Sequence, residues 1–312
     1  MSRWQFRTVP FSFQLSDLTL FTISLPLQVR AERLIDDTPP VTTPNPPIDE
    51  LTEGSQGFLI RALPLVEQLP ALRRVGDYIC YVRQQYEHCY IDLSIGFERY
   101  RSKFSAKTRS TIQRKLRKYE QHCNGPIVWK TFRSPEDIEQ FLQLALPLSK
   151  VTYQERLLSA GLPNTPAFRQ QAVGLAQADQ VRAYLLFHGE RPVSYLYCPV
   201  DHGVLSYSYV GYDPEYMNLS PGTVLQWLAI EQLFEEKRFR YFDFTEGQSE
   251  HKRLFATNQQ LCGNICFIKY SLRNRAMIYC HRMVDTLSRS LGKAMEDLGL
   301  KARIKRLIRF TH

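Results

Sequence analysis

Three short apolar runs, Val181–Phe187, Val193–Pro199 and Val204–Tyr212, are separated by His188-Gly189-Glu190 and Asp201-His202-Gly203. Tight glycine-bearing turns between runs of this length predict an antiparallel meander. What flanks the meander narrows the fold further. Upstream, Ser105 caps a breaker-free, intensely basic stretch that predicts a helix from Ala106 to about Gln121, carrying Lys107, Arg109, Arg114, Lys115, Arg117 and Lys118. Asn124-Gly125-Pro126 turns the chain into a strand, Ile127–Phe132. Ser134-Pro135-Glu136 then opens helical stretches that reach about Ala176. Downstream, Gly222–Lys237 reads as a strong amphipathic helix, followed by strands Tyr241–Phe244 and Leu261–Tyr270. Helices, then antiparallel strands, then strand–helix–strand is an α+β order with a mixed central sheet flanked by helices.

The first hundred residues read as β-rich. Strands are expected at Trp4–Phe13, Leu18–Ala31 and Gly57–Leu63, and Tyr78–Val82 with Cys89–Leu93 as a hairpin. Prolines from Pro39 to Pro47 mark Ile35–Gln56 as an exposed loop. The expected domains are a β-rich lobe at 1–104 with its Pro-rich loop at 35–56, a central domain at 105–271, and a basic helical extension at 272–312. In that extension Lys301, Arg303, Lys305, Arg306 and Arg309 alternate with Ile304, Leu307, Ile308 and Phe310. Packing of the apolar stripe is favoured there, with peripheral contact to an anionic membrane surface as the other reading.

With 312 residues, 44% of them hydrophobic, the chain can bury a core. Its net charge of +9 points to an anionic partner, whether CoA, nucleic acid, lipid head groups or polyanionic glycans. Seven cysteines, an odd number without framework spacing, read as reduced, buried, cytosolic thiols. Cys262 and Cys266 have no second pair at a zinc-like distance and read as neighbours on one strand face, so no metal site is expected. No signal peptide and no run of about 18 apolar residues is found, so a cytoplasmic location is expected. No nucleophile elbow, Walker loop, dinucleotide fingerprint or His-Glu-x-x-His occurs, which leaves hydrolase, kinase, dehydrogenase and zinc-protease readings without support.

The stretch most informative about chemistry runs from Leu205 to Leu225. A strand enters a loop, and Ser220-Pro221-Gly222-Thr223 opens a long helix. A helix start leaves backbone N–H groups unpaired with the positive dipole end behind them. Gly222 has no side chain to block a close ligand and Thr223 adds a hydroxyl, so the four residues form a candidate pyrophosphate cradle.

The ordered set Gly211-Tyr-Asp-Pro-Glu-Tyr, Leu219-Ser-Pro-Gly-Thr, Phe242-Asp-Phe, Gly247 and His251-Lys-Arg-Leu-Phe resembles the GNAT acyltransferases of the CelD cellulose-biosynthesis type, distant relatives of the FemA/FemB/FemX peptidyltransferases. The basic helix after Phe104 belongs to the same likeness, which spans about Phe104 to Lys269. The resemblance implies a GNAT-type fold, with the N-terminal lobe as a degenerate tandem copy. It implies acetyl-CoA or another acyl-CoA as the donor, a pantetheine arm paired with the strand through Tyr209, Val210 and Gly211, and a pyrophosphate at Ser220, Pro221, Gly222 and Thr223. Lys252 would then sit near the reacting or phosphate end, with a solvated surface lysine as its ordinary alternative. Asp243, or else Glu246, is a candidate base, although a carboxylate fixing the next loop explains Asp243 equally well. Tyr207, Tyr209 and Tyr212 are candidate acids for the leaving thiolate. On an unbroken strand Tyr207 and Tyr209 share a face and Tyr212 points the other way. Where that family often has an aromatic residue before the lysine, this chain has His251, expected to be an exposed bystander.

The expected function is N- or O-acyl transfer from acyl-CoA to an amine or hydroxyl of a small molecule, sugar or cell-envelope precursor, with no nucleic acid involved. An aminoacyl-tRNA-dependent, Fem-like transferase whose basic helix holds tRNA is the second reading. A non-catalytic GNAT scaffold is the third.

Overall fold

The computed structural model describes residues 4–15, 18–34, 38–152, 161–247 and 249–297. In chain order the elements are β1 (Gln5–Leu15), β2 (Leu18–Ala31), β3 (Gly57–Pro64), β4 (Leu72–Val75), β5 (Tyr78–Asp92), α1 (Phe97–Ser102), α2 (Ala106–His122), β6 (Val128–Phe132) and α3 (Pro135–Val151). They continue with α4 (Pro166–Gln177), β7 (Val181–His188), β8 (Arg191–Asp201), β9 (Val204–Ser206), β10 (Tyr209–Tyr212), α5 (Pro221–Glu236), β11 (Tyr241–Asp243), α6 (Glu250–Phe255), β12 (Asn258–Lys269) and α7 (Leu272–Asp297). The chain forms two compact units, one from Met1–Glu87 with the residues from Gln260 onward, the other His88–Gln259.

In the first unit β1 and β2 form an antiparallel pair, β2 runs parallel to β3, and β3 pairs antiparallel with β12. One side of this mixed sheet packs Phe11, Phe13, Leu27, Leu59 and Ile268 with Met277 and Ile278 of α7. The other side packs Phe58, Ile60, Leu65, Cys80 and Phe267 with Val41 and Leu51 against them. The Pro-rich loop is therefore only partly exposed, and Pro44 and Ser55 are buried in it. A strand reading Phe58-Leu-Ile needs cover on both faces, and the loop supplies one of them.

The hairpin expected from Tyr78–Val82 and Cys89–Leu93 is not formed. Both belong to the single strand β5, because Arg83–His88 contains no turn residue and continues in extended conformation. Its first residues pair instead with β4 through the turn at Gly76, whose φ of 55° favours glycine. The basic residues 301–312, with the packing and membrane readings attached to them, lie outside the described residues. No helix among the described residues is long and apolar enough to cross a membrane.

The second unit has the mixed sheet expected of an α+β chain. β6, β7 and β8 are antiparallel neighbours, β8 pairs with β9, and β9 runs parallel to β11, which pairs with the end of β5. Side chains alternate along β7 so that Val181, Ala183 and Leu185 meet α3 and α4, whereas Tyr184 and Leu186 meet the core formed with α1, α2 and α5. Ser134 caps α3 through a complete capping box with Asp137, and Ser105 caps α2 by accepting from the Thr108 amide. Helix α5 is buried around most of its surface, not along one stripe as its sequence suggested, since Leu225, Gln226, Trp227, Ala229 and Ile230 are all covered.

Five cysteines are buried, but Cys123 is half-buried and Cys280 is exposed, so the expectation of uniformly buried thiols fails there. Cys123 lies in the turn just past α2, and Cys280 lies on α7. No group of three or more metal-ligating side chains occurs among the described residues.

Candidate functional site

The third run of the meander is broken at Tyr207–Ser208, and the site is built on that break. β9 pairs with the far end of β8 at Val200 and Asp201, whereas β10 pairs with its middle, Ser194–Tyr197. β11 follows β9 only as far as the Tyr207 N–H, which donates to the Asp243 carbonyl at 2.8 Å. Beyond that bond β10 has no described strand on its second edge. The Asp213 amide donates to Val193, so alternation turns the backbone groups of Val210 and Tyr212 away from β8, towards that open edge.

The break also sorts the tyrosines. Tyr207 packs with Phe242 and Phe244 on the α5 side, and Tyr209 packs with Phe168 and Tyr197 on the α3–α4 side. Tyr207 and Tyr209 therefore do not share a face, because the irregularity between them resets the alternation. Tyr212 returns to the α5 side, where its ring lies 3.4 Å from the place a Cβ on Gly222 would occupy. Tyr207 is half-buried and its hydroxyl donates to Gln226 Oε1; burial pushes its pKa well up, which makes it a poor proton donor.

Asp213 carries the chain from β10 to α5. Its Oδ1 accepts the Glu215 amide and starts a short 3-10 turn over Pro214–Leu219, and its Oδ2 is held 2.5 Å from Arg191 Nη2. The turn delivers Ser220 in a left-handed conformation, φ 55° and ψ 48°, and Pro221 begins the helix with its ring preset for the first position. The Ser220 carbonyl takes the Thr223 and Val224 amides, so the Gly222 amide is left at the helix front. From α2, Lys115 Nζ donates to the Thr223 hydroxyl at 3.3 Å and Lys118 Nζ to the Asn218 carbonyl at 2.9 Å. Burial, then the neighbouring Arg114, lowers the Lys115 pKa. The basic helix thus adds two ammonium groups to the dipole of α5 at the same spot.

Gly211 serves another purpose. A Cβ there would lie 2.6 Å from Tyr195 Cε1 and 2.7 Å from Thr152 Cγ2, both on fully buried residues. Its missing side chain admits the Tyr195 ring.

The residues expected at the reacting end gather at the C-terminal end of β11. Asp243 Oδ1 accepts the Thr245 amide at 2.7 Å, so it does fix the following loop, and lies 2.5 Å from His88 Nε2. Lys252 is half-buried, with Nζ donating to the carbonyls of Glu246 at 2.7 Å and Thr245 at 3.5 Å. Burial lowers its pKa, against the pull of Asp243, Cys89 and Glu246. It is a loop-anchored ammonium rather than a freely solvated one. Between this cluster and the front of α5 lies Gln226, whose Oε1 accepts from Tyr207 and sits 2.6 Å from His251 Nε2, while its own Nε2 is buried without a partner among the described residues. His251 is therefore no exposed bystander: it is largely buried, and burial followed by Lys115 lowers its pKa. Alternation to the core side of α6 places it there.

Three site residues were not singled out in the sequence. Gln226 left a signal, a lone amide inside Val-Leu-Gln-Trp-Leu-Ala-Ile, where a buried polar group needs a reason. Lys115 was one of six cations on α2 with nothing local to mark it. His88 was hidden by the expected hairpin.

Residues 106–253 match the family model for the acetyltransferase (GNAT) domain. No curated protein matches the chain. Among solved structures, the chain is similar to the DUF2156 C-terminal domain of an Agrobacterium fabrum protein described as a lysylphosphatidylglycerol synthetase, at 10% identity over 75% of this chain and 73% of that one, with a TM-score of 0.48. A FemX structure aligns at 12% identity over 85% of this chain and 88% of that one, with a TM-score of 0.48. A GCN5-related N-acetyltransferase from Kribbella flavida aligns at 13% identity over 62% of each, with a TM-score of 0.33. The family match runs from α2 into α6, within the second unit, whose mixed sheet flanked by helices is a GNAT-like fold.

Proposed function

We propose that the second unit moves an acetyl or longer acyl group from acyl-CoA to an amine or hydroxyl of a small molecule or cell-envelope precursor in the cytoplasm, as a CelD-like acyltransferase. The observation that carries this reading is the front of α5. There an uncovered glycine amide, a helix dipole and the Lys115 ammonium converge on one point beside an unpaired strand edge. The donor's pyrophosphate would rest on Ser220, Pro221, Gly222 and Thr223. Its pantetheine amides would add to the backbone of Val210 and Tyr212 as an extra strand adds to a sheet. Tyr209 and Gly211 belong to that strand through its packing.

In this reading transfer is direct, within a ternary complex. The acceptor nitrogen or oxygen attacks the thioester carbonyl carbon, the new bond forms and the C–S bond breaks. The acceptor's proton goes to Asp243, with Glu246 as the alternative, and His88 is the positioning residue that orients the Asp243 carboxylate. Lys252 supports the charge on the carbonyl oxygen. Tyr212, which adjoins Gly222, returns a proton to the thiolate.

Calorimetric titration with acetyl-CoA and longer acyl-CoAs, beside a Gly222→Trp variant checked for its fold by circular dichroism, tests the proposal. Micromolar binding that disappears in the variant is expected. A folded wild-type protein that binds no acyl-CoA would sink the reading and leave aminoacyl-tRNA-dependent transfer or a non-catalytic scaffold in its place.

A further inference from the structure

The first unit holds a cavity of about 240 Å³ that nothing in the acyl-transfer reading uses. Two arginines bring guanidinium groups to it, Arg74 from β4 and Arg275 from α7, together with Tyr270 and Tyr279, over an apolar floor of Leu72 and Ile79. No carboxylate is among its lining residues. Guanidinium groups gathered in one partly enclosed space repel one another unless an anion joins them.

The arginines are held ready for one. The Arg74 guanidinium lies over the Tyr270 ring at 4.4 Å, and its Nε donates to the Gly76 carbonyl at 3.1 Å. Arg275 lies over Tyr279 at 5.8 Å, four residues along the same helix face, and its Nη1 donates to the Tyr270 hydroxyl at 3.4 Å. Arg73 lies opposite Cys80 on the other face of β4, where its Nη2 donates to the Pro44 carbonyl, so its guanidinium is not counted among the groups that would meet the anion. Stacking on tyrosine fixes the guanidinium planes while leaving donors unused. Planar, fixed forks of this kind match phosphate oxygens two at a time. The volume falls below the roughly 300–1,000 Å³ of pockets that take whole drug-sized ligands, so it suits a compact anionic group.

We propose that this cavity is a binding site for a phosphate monoester, supplied by a soluble phosphorylated metabolite or by a lipid head group. The site stands independently of the acyl-transfer reading.

Calorimetry on the full chain at fixed ionic strength, with inorganic phosphate and glycerol 3-phosphate as probes and glycerol as the uncharged control, tests it. Saturable binding of both phosphates and none of glycerol is expected. Arg74→Gln and Arg275→Gln, both at exposed positions, should each weaken binding about tenfold or more through loss of a charge-assisted hydrogen bond. Arg99→Gln, which removes the same charge from the exposed face of α1, should leave it unchanged. Sedimentation with phosphatidylcholine vesicles, with and without phosphatidic acid, separates the two sources. Binding that needs phosphatidic acid and is competed by glycerol 3-phosphate identifies a lipid, and binding of the soluble ester alone identifies a metabolite. Absence of saturable phosphate binding, or equal weakening in Arg99→Gln, overturns the proposal. Acetyl-CoA titration of the same variants reports on the transfer domain separately.

Discussion

Gly211→Ala tests the claim that one of the two glycines in the candidate site is there for packing. The new methyl would sit 2.6 Å from Tyr195 Cε1, 2.7 Å from Thr152 Cγ2 and 2.9 Å from Tyr195 Cζ, all nearer than carbon atoms approach without force. Neither neighbour has room to give, since Tyr195 and Thr152 are fully buried and the Tyr195 hydroxyl bonds Ser149 Oγ at 3.1 Å. Overpacking of this kind costs about 1–3 kcal/mol. Displacing the ring also strains or breaks its hydrogen bond, about 1 kcal/mol more. Alanine recovers roughly 0.5–1 kcal/mol through a less flexible unfolded chain. The net loss is about 1–3.5 kcal/mol, which for a unit the size of His88–Gln259 lowers the thermal midpoint by about 2–14 °C. Gly222→Ala is the internal control, because its methyl meets only Tyr212 Cδ1 at 3.4 Å, and its stability should stay within about 0.5 kcal/mol of wild type. Differential scanning calorimetry of the three proteins decides it. A Gly211→Ala midpoint within 2 °C of wild type (roughly the shift from 0.5–1 kcal/mol) would refute the packing argument.

Other outcomes follow from the same geometry. Lys115→Ala should weaken acetyl-CoA binding about tenfold in calorimetry, and the difference should shrink as salt rises, because a partly solvated ammonium is screened. Ser134→Ala removes one half of the α3 capping box and should cost about 1 kcal/mol in urea unfolding. His281, within Phe11, Phe13 and Tyr81 of the first unit, has its pKa lowered by burial and then by Arg83, against Asp285 and a hydrogen bond it donates to the Ser12 backbone. The unfolded chain therefore binds its proton more tightly than the native one, so stability falls as the pH drops below about 6.5. Urea midpoints between pH 7.5 and 5.5 should show that decline, and His281→Gln should flatten it; an identical slope in the variant would exclude His281 as its source.

Much of the second unit was legible in the residue order because its signals are local. Ser105 and Ser134 each cap the helix they precede, and glycine turns at Gly189 and Gly203 separate strands that pair as neighbours. The helix start at Ser220–Thr223 was legible for the same reason: it is written in four consecutive residues. The errors also share a cause. Arg83–His88 contains nothing that forbids either a turn or a strand, and only the partners available to β5 decided for a strand. Tyr207 and Tyr209 exchanged faces through a one-step irregularity that no period-2 count can reveal.

The sequence by itself determined the element types, the α+β class and the start of α5, since propensity, capping and turn chemistry act over a few residues. Only the tertiary structure decided that β12 returns to pair with β3, that His88 reaches Asp243 across 155 positions, and that Lys115 stands at Thr223 across 108. Contacts at such separations depend on how whole faces pack. Packing is a property of complementary shapes in three dimensions, which no window along the chain contains.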